Sequence, residues 1–233
     1  MNTRILLKLS GEFFSTDNEA FNVEKIHSLS KAIYDFKSQC NVDLVIVVGA
    51  GNVWRFRDNQ DLDMSRNISD KLGMSATNFN AVLLAQMLNN CGDKSVALSC
   101  YASEDMMQPY NSEAATNLLA RGNTLVLGGG TGHPYSTTDL AAVLRALELG
   151  CDIVYKATKV DGVYDSDPFM NPDAKRFSEL YFADALARGL KVMDSSAFGM
   201  AMENDLPILV FDFSKLNNLQ TVFMDPSIGT LVS

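Results

Sequence analysis

The sequence predicts an α/β fold, a three-layer αβα sandwich around a largely parallel central sheet, and two patterns carry that prediction. Short β-branched or leucine-rich runs recur along the 233 residues, each closed by glycine or a polar cluster and followed by a helical pattern, the alternation expected of parallel strands joined by helices. Several of these runs lack polar alternation, as strands buried on both faces should. At 47% hydrophobic residues the chain can bury one sizeable core. No repeat and no Pro- or Ser-rich linker divides it, so residues 1–233 read as a single domain.

The elements follow in order. Arg4–Leu9 is the first strand, Val23–Lys37 a helix, and Asp43–Val48 the second strand. From Ile68 onward, apolar residues at Ile68, Leu72, Ala76, Phe79, Leu83 and Met87 keep a 4-4-3-4-4 spacing, which marks one face of a long helix with Asp70 near its first turn. Lys94–Leu98 and Thr124–Leu127 read as strands, Asp139–Leu149 as a helix and Asp152–Ala157 as a further strand. Helices over Ser178–Ala187 and Ser195–Asn204 precede a last strand, Pro207–Phe211. Gly150 and Gly189 fall where helix stops belong. Trp54 and the 11 methionines read as core material.

Charge narrows the function. With 19 Lys and Arg against 28 Asp and Glu, the net charge is -9, which argues against a nucleic-acid surface because such surfaces need dense cations. An anionic ligand must meet a local cationic site. The opening MNTRILLKLSGE has an apolar run interrupted by Lys8, short of the roughly 7–15 residues of a signal-peptide core, and no stretch approaches the roughly 20 apolar residues of a membrane span. Cys40, Cys91, Cys100 and Cys151 show neither C-x-x-C pairing nor metal-ligand spacing, and His27 and His133 are far apart. The expectation is a cytoplasmic protein with reduced thiols and no metal held by protein ligands.

Three strand ends run into glycine-bearing turns: Lys8-Leu-Ser-Gly11, Gly49-Ala-Gly-Asn52, and GGGTGHPYSTTD over residues 128–139. Glycine lets a ligand approach the backbone without meeting a Cβ, and N–H groups at a helix start favour an anion. Open parallel sheets bind ligands at the carboxyl ends of their strands, so these turns are expected to converge on one site for a polyanion, phosphate first. Lys8, Arg55 and the cluster Lys156-Ala-Thr-Lys159 supply cations there. Other phosphate and nucleophile patterns are absent: no glycine is followed by lysine, neither glycine loop completes G-x-G-x-x-G, and there is no H-R-D, D-F-G, G-x-S-x-G or H-E-x-x-H.

The stretches KLSGE (8–12), GAGNVWR (49–55), SDKLGM (69–74), GTGHPYSTTD (130–139), KATKVDGVYDSDP (156–168) and KVMD (191–194) together resemble the bacterial UMP kinases of the amino acid kinase superfamily, in order and spacing along nearly the whole chain. The resemblance implies phosphoryl transfer from ATP to UMP, giving UDP and ADP, with Mg2+ carried by the nucleotide phosphates and commonly a homohexamer. It implies that UMP is bound mainly by the N-terminal part and ATP mainly by residues from about 150 to 233. On the ATP phosphates it places Lys8, Leu9, Ser10, Gly11, Gly51 and Arg55, and around the ATP nucleoside Thr158, Tyr164 and Asp167. On UMP it places Ala50, Asp70 and the stretch Thr131, Gly132, His133, Pro134, Tyr135, Ser136, Thr137 and Thr138. Lys8, Arg55 and Asp139 are the candidate catalytic residues.

Three positions depart from the family pattern. Ala50 replaces a usual glycine, keeping the N–H but disfavouring positive φ; Phe56 replaces the glycine after the arginine; His133 replaces an asparagine. Asp139 has a second reading, since Ser136-x-x-Asp139 has the spelling of a capping box, and Asp194 either orients a lysine or caps the helix after it. Two other functions stay open on the same scaffold: an acylphosphate-forming kinase acting on an acetylated amino acid or carbamate, and a noncatalytic nucleotide- or oxyanion-binding protein.

Overall fold

The computed structural model describes residues 2–101 and 105–233. The chain begins with β1 (Arg4–Leu9), a 3-10 turn at Gly11–Phe14, α1 (Val23–Cys40) and β2 (Asp43–Val48), then reaches α2 (Arg66–Asn90) through two further 3-10 turns. It continues with β3 (Ser95–Ser99), β4 (Gln108–Pro109), α3 (Ser112–Ala120), β5 (Thr124–Gly128), α4 (Thr138–Glu148) and β6 (Ile153–Thr158). The last third holds β7 (Glu179–Leu180), α5 (Phe182–Ala187), α6 (Ser195–Glu203), β8 (Ile208–Asp212), α7 (Asn218–Met224) and β9 (Thr230–Val232). Among the described residues one sheet runs β4-β3-β5-β2-β1-β6-β8-β9-β7, parallel except where β9 meets β8.

Period-two alternation explains the unbroken apolar strands. Leu6, Val45, Val154 and Ile208 join the core under α3 to α6, while Ile5, Leu7, Leu44, Ile46 and Leu209 join the core under α1, α2 and α7. The central strands β1, β2, β6 and β8 therefore serve two apolar layers. In the parallel register Lys8 of β1 stands beside Lys156 of β6. Both follow the alternation of Leu6 and Val154, on the α4 side.

The expected strands are all present, the later four displaced by one residue at one or both ends. Helix α1 extends three residues beyond the expectation, to Cys40, and closes on Asn41 at φ +52°; Asn is among the side chains that tolerate this conformation. The expected helix over Ser178–Ala187 is corrected: Glu179–Leu180 pairs with β9 as an edge strand, and the helix starts only at Phe182. α3, α7, β4 and β9 lie outside the elements expected from the sequence.

The expected core stripe of α2 is also corrected. Of that stripe, Ile68, Leu72 and Phe79 are 47%, 40% and 53% exposed, while Ala76 is buried and Leu83 and Met87 pack against the core that Ala81, Leu84, Ala85 and Leu88 enter. The inward face near the helix middle is instead polar, with Thr77, Asn78 and Asn80 buried. The methionine reading holds for Met74, Met107 and Met193 but not for Met106, Met170 and Met224, which are exposed; Met1 lies outside the described residues. No helix among the described residues is long and apolar enough to cross a membrane.

Candidate active site

A cavity of about 390 Å³ opens at the carboxyl ends of β1, β2 and β5. The structure brings Lys8, Ser10, Ala50, Gly51 and Arg55 onto its wall together with Asp70, Thr131, His133, Ser136, Thr137 and Thr138. The buried polar residues of α2 pin the two glycine turns that frame it. Asn80 donates to the Gly49 carbonyl at 2.7 Å, and Thr77 Oγ1 accepts from the Gly129 N–H at 2.8 Å. A wholly apolar inner face would leave those backbone groups without partners, a loss costing about 1–3 kcal/mol per group.

One turn into α2, Asp70 accepts from Arg66 Nε at 2.7 and 2.8 Å and from the Tyr135 backbone N–H at 2.7 Å. It therefore ties the helix start to the glycine loop. That loop follows a left-handed course, with Gly129, Gly130 and Gly132 at φ +74°, +57° and +85° and Tyr135 at +62°. Thr137, not Ser136, caps α4, accepting from the Leu140 N–H at 3.0 Å. The Thr137 hydroxyl also donates to Asp194, whose other carboxylate oxygen caps α6 through the N–H groups of Ser196 and Ala197. Asp194 is thus a helix cap that anchors the loop.

The capping-box reading of Asp139 is corrected by the same geometry. Its carboxylate lies 2.8 Å from Lys8 Nζ and 2.9 Å from Lys156 Nζ, and Lys156 also donates to the Val192 carbonyl at 2.7 Å. Burial alone would raise the Asp139 pKa, but the two ammonium groups outweigh it and hold the carboxyl at about 2. Burial lowers the pKa of Lys156. Two lysines on adjacent strands repel each other, and one carboxylate between them relieves that repulsion while leaving a surplus positive charge. The sequence reading placed Lys156 only in a cluster of cations; its pairing with Lys8 follows from strand register.

The remaining predicted residues divide into supports and outliers. Leu9 is core. Gly11 packs against the second glycine turn so closely that an added Cβ would stand 2.7 Å from the Gly51 backbone nitrogen. Gly132, Pro134 and Tyr135 shape the loop without lining the cavity. Thr158, Tyr164 and Asp167 stand outside this cavity and its neighbour. Each makes local bonds: Thr158 donates to the Val160 carbonyl at 2.5 Å, the Tyr164 hydroxyl donates to Asp161 at 2.6 Å, and Asp167 accepts from the Phe169 N–H at 2.9 Å.

Two departures from the family pattern acquire positions. Ala50 is not among the residues at positive φ, so its methyl group imposes no backbone strain. Phe56 lines the cavity, and the Arg66 guanidinium lies 4.7 Å from its ring and 5.9 Å from that of Tyr135. Trp54, expected in the core, lines the cavity and donates to Ser69 Oγ at 2.9 Å. Arg66, Thr77 and Asn80 carried no local sequence signal for a role here. The site joins Lys8, Arg55 and two pinned glycine turns to a hydroxyl-bearing loop, an arrangement suited to holding phosphate groups.

A model of the amino acid kinase family matches residues 3–212. Among solved structures, a UMP kinase from Ureaplasma parvum superposes with a TM-score of 0.95 at 33% identity, covering 100% of this chain and 99% of that one. A UMP kinase from Bacillus anthracis superposes with a TM-score of 0.95 at 28% identity, covering 99% of this chain and 96% of the other.

Proposed function

The chain belongs to the amino acid kinase family, and we propose that within it the protein phosphorylates UMP with ATP to give UDP and ADP. The observation that carries this reading is that Lys8, paired with Asp139 beside Lys156, lines one cavity together with Arg55 and residues of the Thr131–Thr138 loop. Full-length similarity to two UMP kinases supports it over the acylphosphate-forming alternative. The presence of both Lys8 and Arg55 on the cavity wall favours a catalyst over a noncatalytic binding protein.

In this proposal the UMP phosphate rests on the loop from Thr131 to Thr138, held in place by Asp70, while the ATP phosphates lie on Lys8, Gly11, Gly51 and Arg55. A UMP phosphate oxygen is already ionised and needs no general base. It attacks the γ-phosphorus in line, the bond from that phosphorus to the β–γ bridging oxygen breaks, and ADP leaves with the electron pair. Lys8, Lys156 and Arg55 offset the charge on the transferring group, the main requirement of phosphoryl transfer. Thr158, Tyr164 and Asp167 receive the ATP nucleoside, so the donor side falls mainly in residues from about 150 to 233 and the acceptor side mainly in the N-terminal part of the single domain.

Among the described residues no group of three His, Cys, Asp or Glu is placed to hold a metal ion. Mg2+ arrives on the ATP phosphates as part of the substrate. The exposed apolar face of α2, with Ile68, Leu72 and Phe79, supports a homo-oligomer, for which a hexamer in the cytoplasm is the form proposed. A coupled assay of ADP formation from ATP with UMP, CMP, dUMP, acetylglutamate or carbamate tests the assignment. UMP is expected to give the highest rate, and no turnover of UMP at any Mg2+ concentration would reject it.

A further inference from the structure

Glu12 repeats, at a second place in the crevice, what Asp139 does in the first. One of its carboxylate oxygens pairs with the Arg55 guanidinium and the other lies 2.6 Å from Lys159 Nζ. The three residues follow three different strands: Glu12 comes after β1, Arg55 after β2 and Lys159 after β6. Gly51 and Arg55 line both the cavity that holds Lys8 and a neighbouring one of about 1000 Å³, whose lining also includes Glu12 and Lys159. The Arg55 guanidinium lies directly against the Gly51 α-carbon, where any Cβ would collide with it.

These groups are too wet to be explained by folding. The side chains of Glu12, Arg55 and Lys159 are 30%, 26% and 66% exposed, and solvent-screened pairs of this kind add little stability. Their chemistry points elsewhere. Two cations on one carboxylate leave a surplus positive charge, and guanidinium and ammonium donors outnumber the two oxygens that engage them. The hydrogen bond from Lys159, opposed by desolvation and reinforced by Arg55, lowers the Glu12 pKa.

We infer that Glu12, Arg55 and Lys159 form a second carboxylate-bridged cation pair, which binds the phosphate chain of the triphosphate donor where it passes between the two cavities. Glu12 is the positioning residue that keeps two mutually repelling cations at a fixed separation, and Lys159 is a donor-binding residue. The inference rests on the kinase reading above and adds two residues to it.

Steady-state kinetics on the full chain, paired with calorimetric titration of inorganic tripolyphosphate, test it. Lys159→Ala is expected to raise KM for ATP and weaken tripolyphosphate binding about tenfold, the loss of one charge-assisted contact, with KM for UMP unchanged. Glu12→Gln is expected to lower kcat and weaken tripolyphosphate binding about tenfold without changing the melting temperature, and Glu12→Asp to restore part of both losses. Wild-type ATP kinetics and tripolyphosphate affinity in Lys159→Ala and Glu12→Gln would overturn the inference, as would equal rises in the KM of both substrates. If the unmodified protein forms no ADP from ATP and UMP, the kinase reading fails. The titrations then decide alone: unchanged affinity in both variants overturns the cation pair, and a tenfold loss sustains it.

Discussion

The Lys8 ammonium, at the end of the first strand, stands 2.8 Å from the Asp139 carboxylate in the first turn of α4. The pair is 131 positions apart in sequence (139 minus 8), and the same carboxylate reaches Lys156 at 2.9 Å. Its placement makes Asp139 a hub for two cations.

Lys8→Ala and Lys156→Ala are each expected to lower kcat by about 10²–10³, the usual effect of removing one group that stabilises transition-state charge. Circular dichroism should show native helix and sheet content in both. A kcat within threefold of the unmodified protein in either variant would contradict the assigned role.

Acid stability should report Asp139 directly. Its carboxyl falls from 3.8 to about 2 on folding, so the stabilisation is fully present above about pH 4 and is lost as pH drops toward 2. The size is about 2 kcal/mol. Urea unfolding at stepped pH should show Asp139→Asn losing that much less stability than the unmodified protein across this window. Parallel curves would mean that the carboxylate gains nothing from its two lysines.

Asp70→Ala removes the acceptor for both Arg66 and the Tyr135 backbone N–H. The glycine loop should then lose its tie to α2, raising KM for UMP about tenfold, equivalent to one lost hydrogen bond to a charged group. KM for ATP should stay within twofold. A rise in the ATP constant alone would place Asp70 on the wrong side of the cavity.

Gly11→Ala places a methyl group against the Gly51 backbone nitrogen. Neither turn can yield without moving the cavity wall, so the expected cost is about 1–3 kcal/mol in stability together with a fall in kcat. Chemical denaturation and initial rates measure both, and an unchanged midpoint would show that the turns have slack.

Much of the fold was legible because its signals are local. Unbroken apolar runs such as Leu44–Val48 announced strands buried on both sides, and Gly150 and Gly189 marked helix ends at φ +62° and +63°. The converging glycine turns were legible for the same reason. The inner face of α2 was not, because it mixes buried Thr77, Asn78 and Asn80 with apolar residues while its outer face exposes Ile68, Leu72 and Phe79. A hydrophobic period cannot reveal a helix whose inward polar groups serve loops from elsewhere in the chain.

The sequence by itself determined the alternating strands and helices, the glycine turns at strand ends and the residue types able to meet phosphate, since each depends on neighbours within a few positions. Only the tertiary structure decided which charges meet. Parallel register sets Lys8 beside Lys156, packing of α4 on that face brings Asp139 between them, and the turns after β1, β2 and β6 bring Glu12 to Arg55 and Lys159. Coulomb energy depends on separation in space, and for residues this far apart along the chain that separation exists only once the sheet has formed.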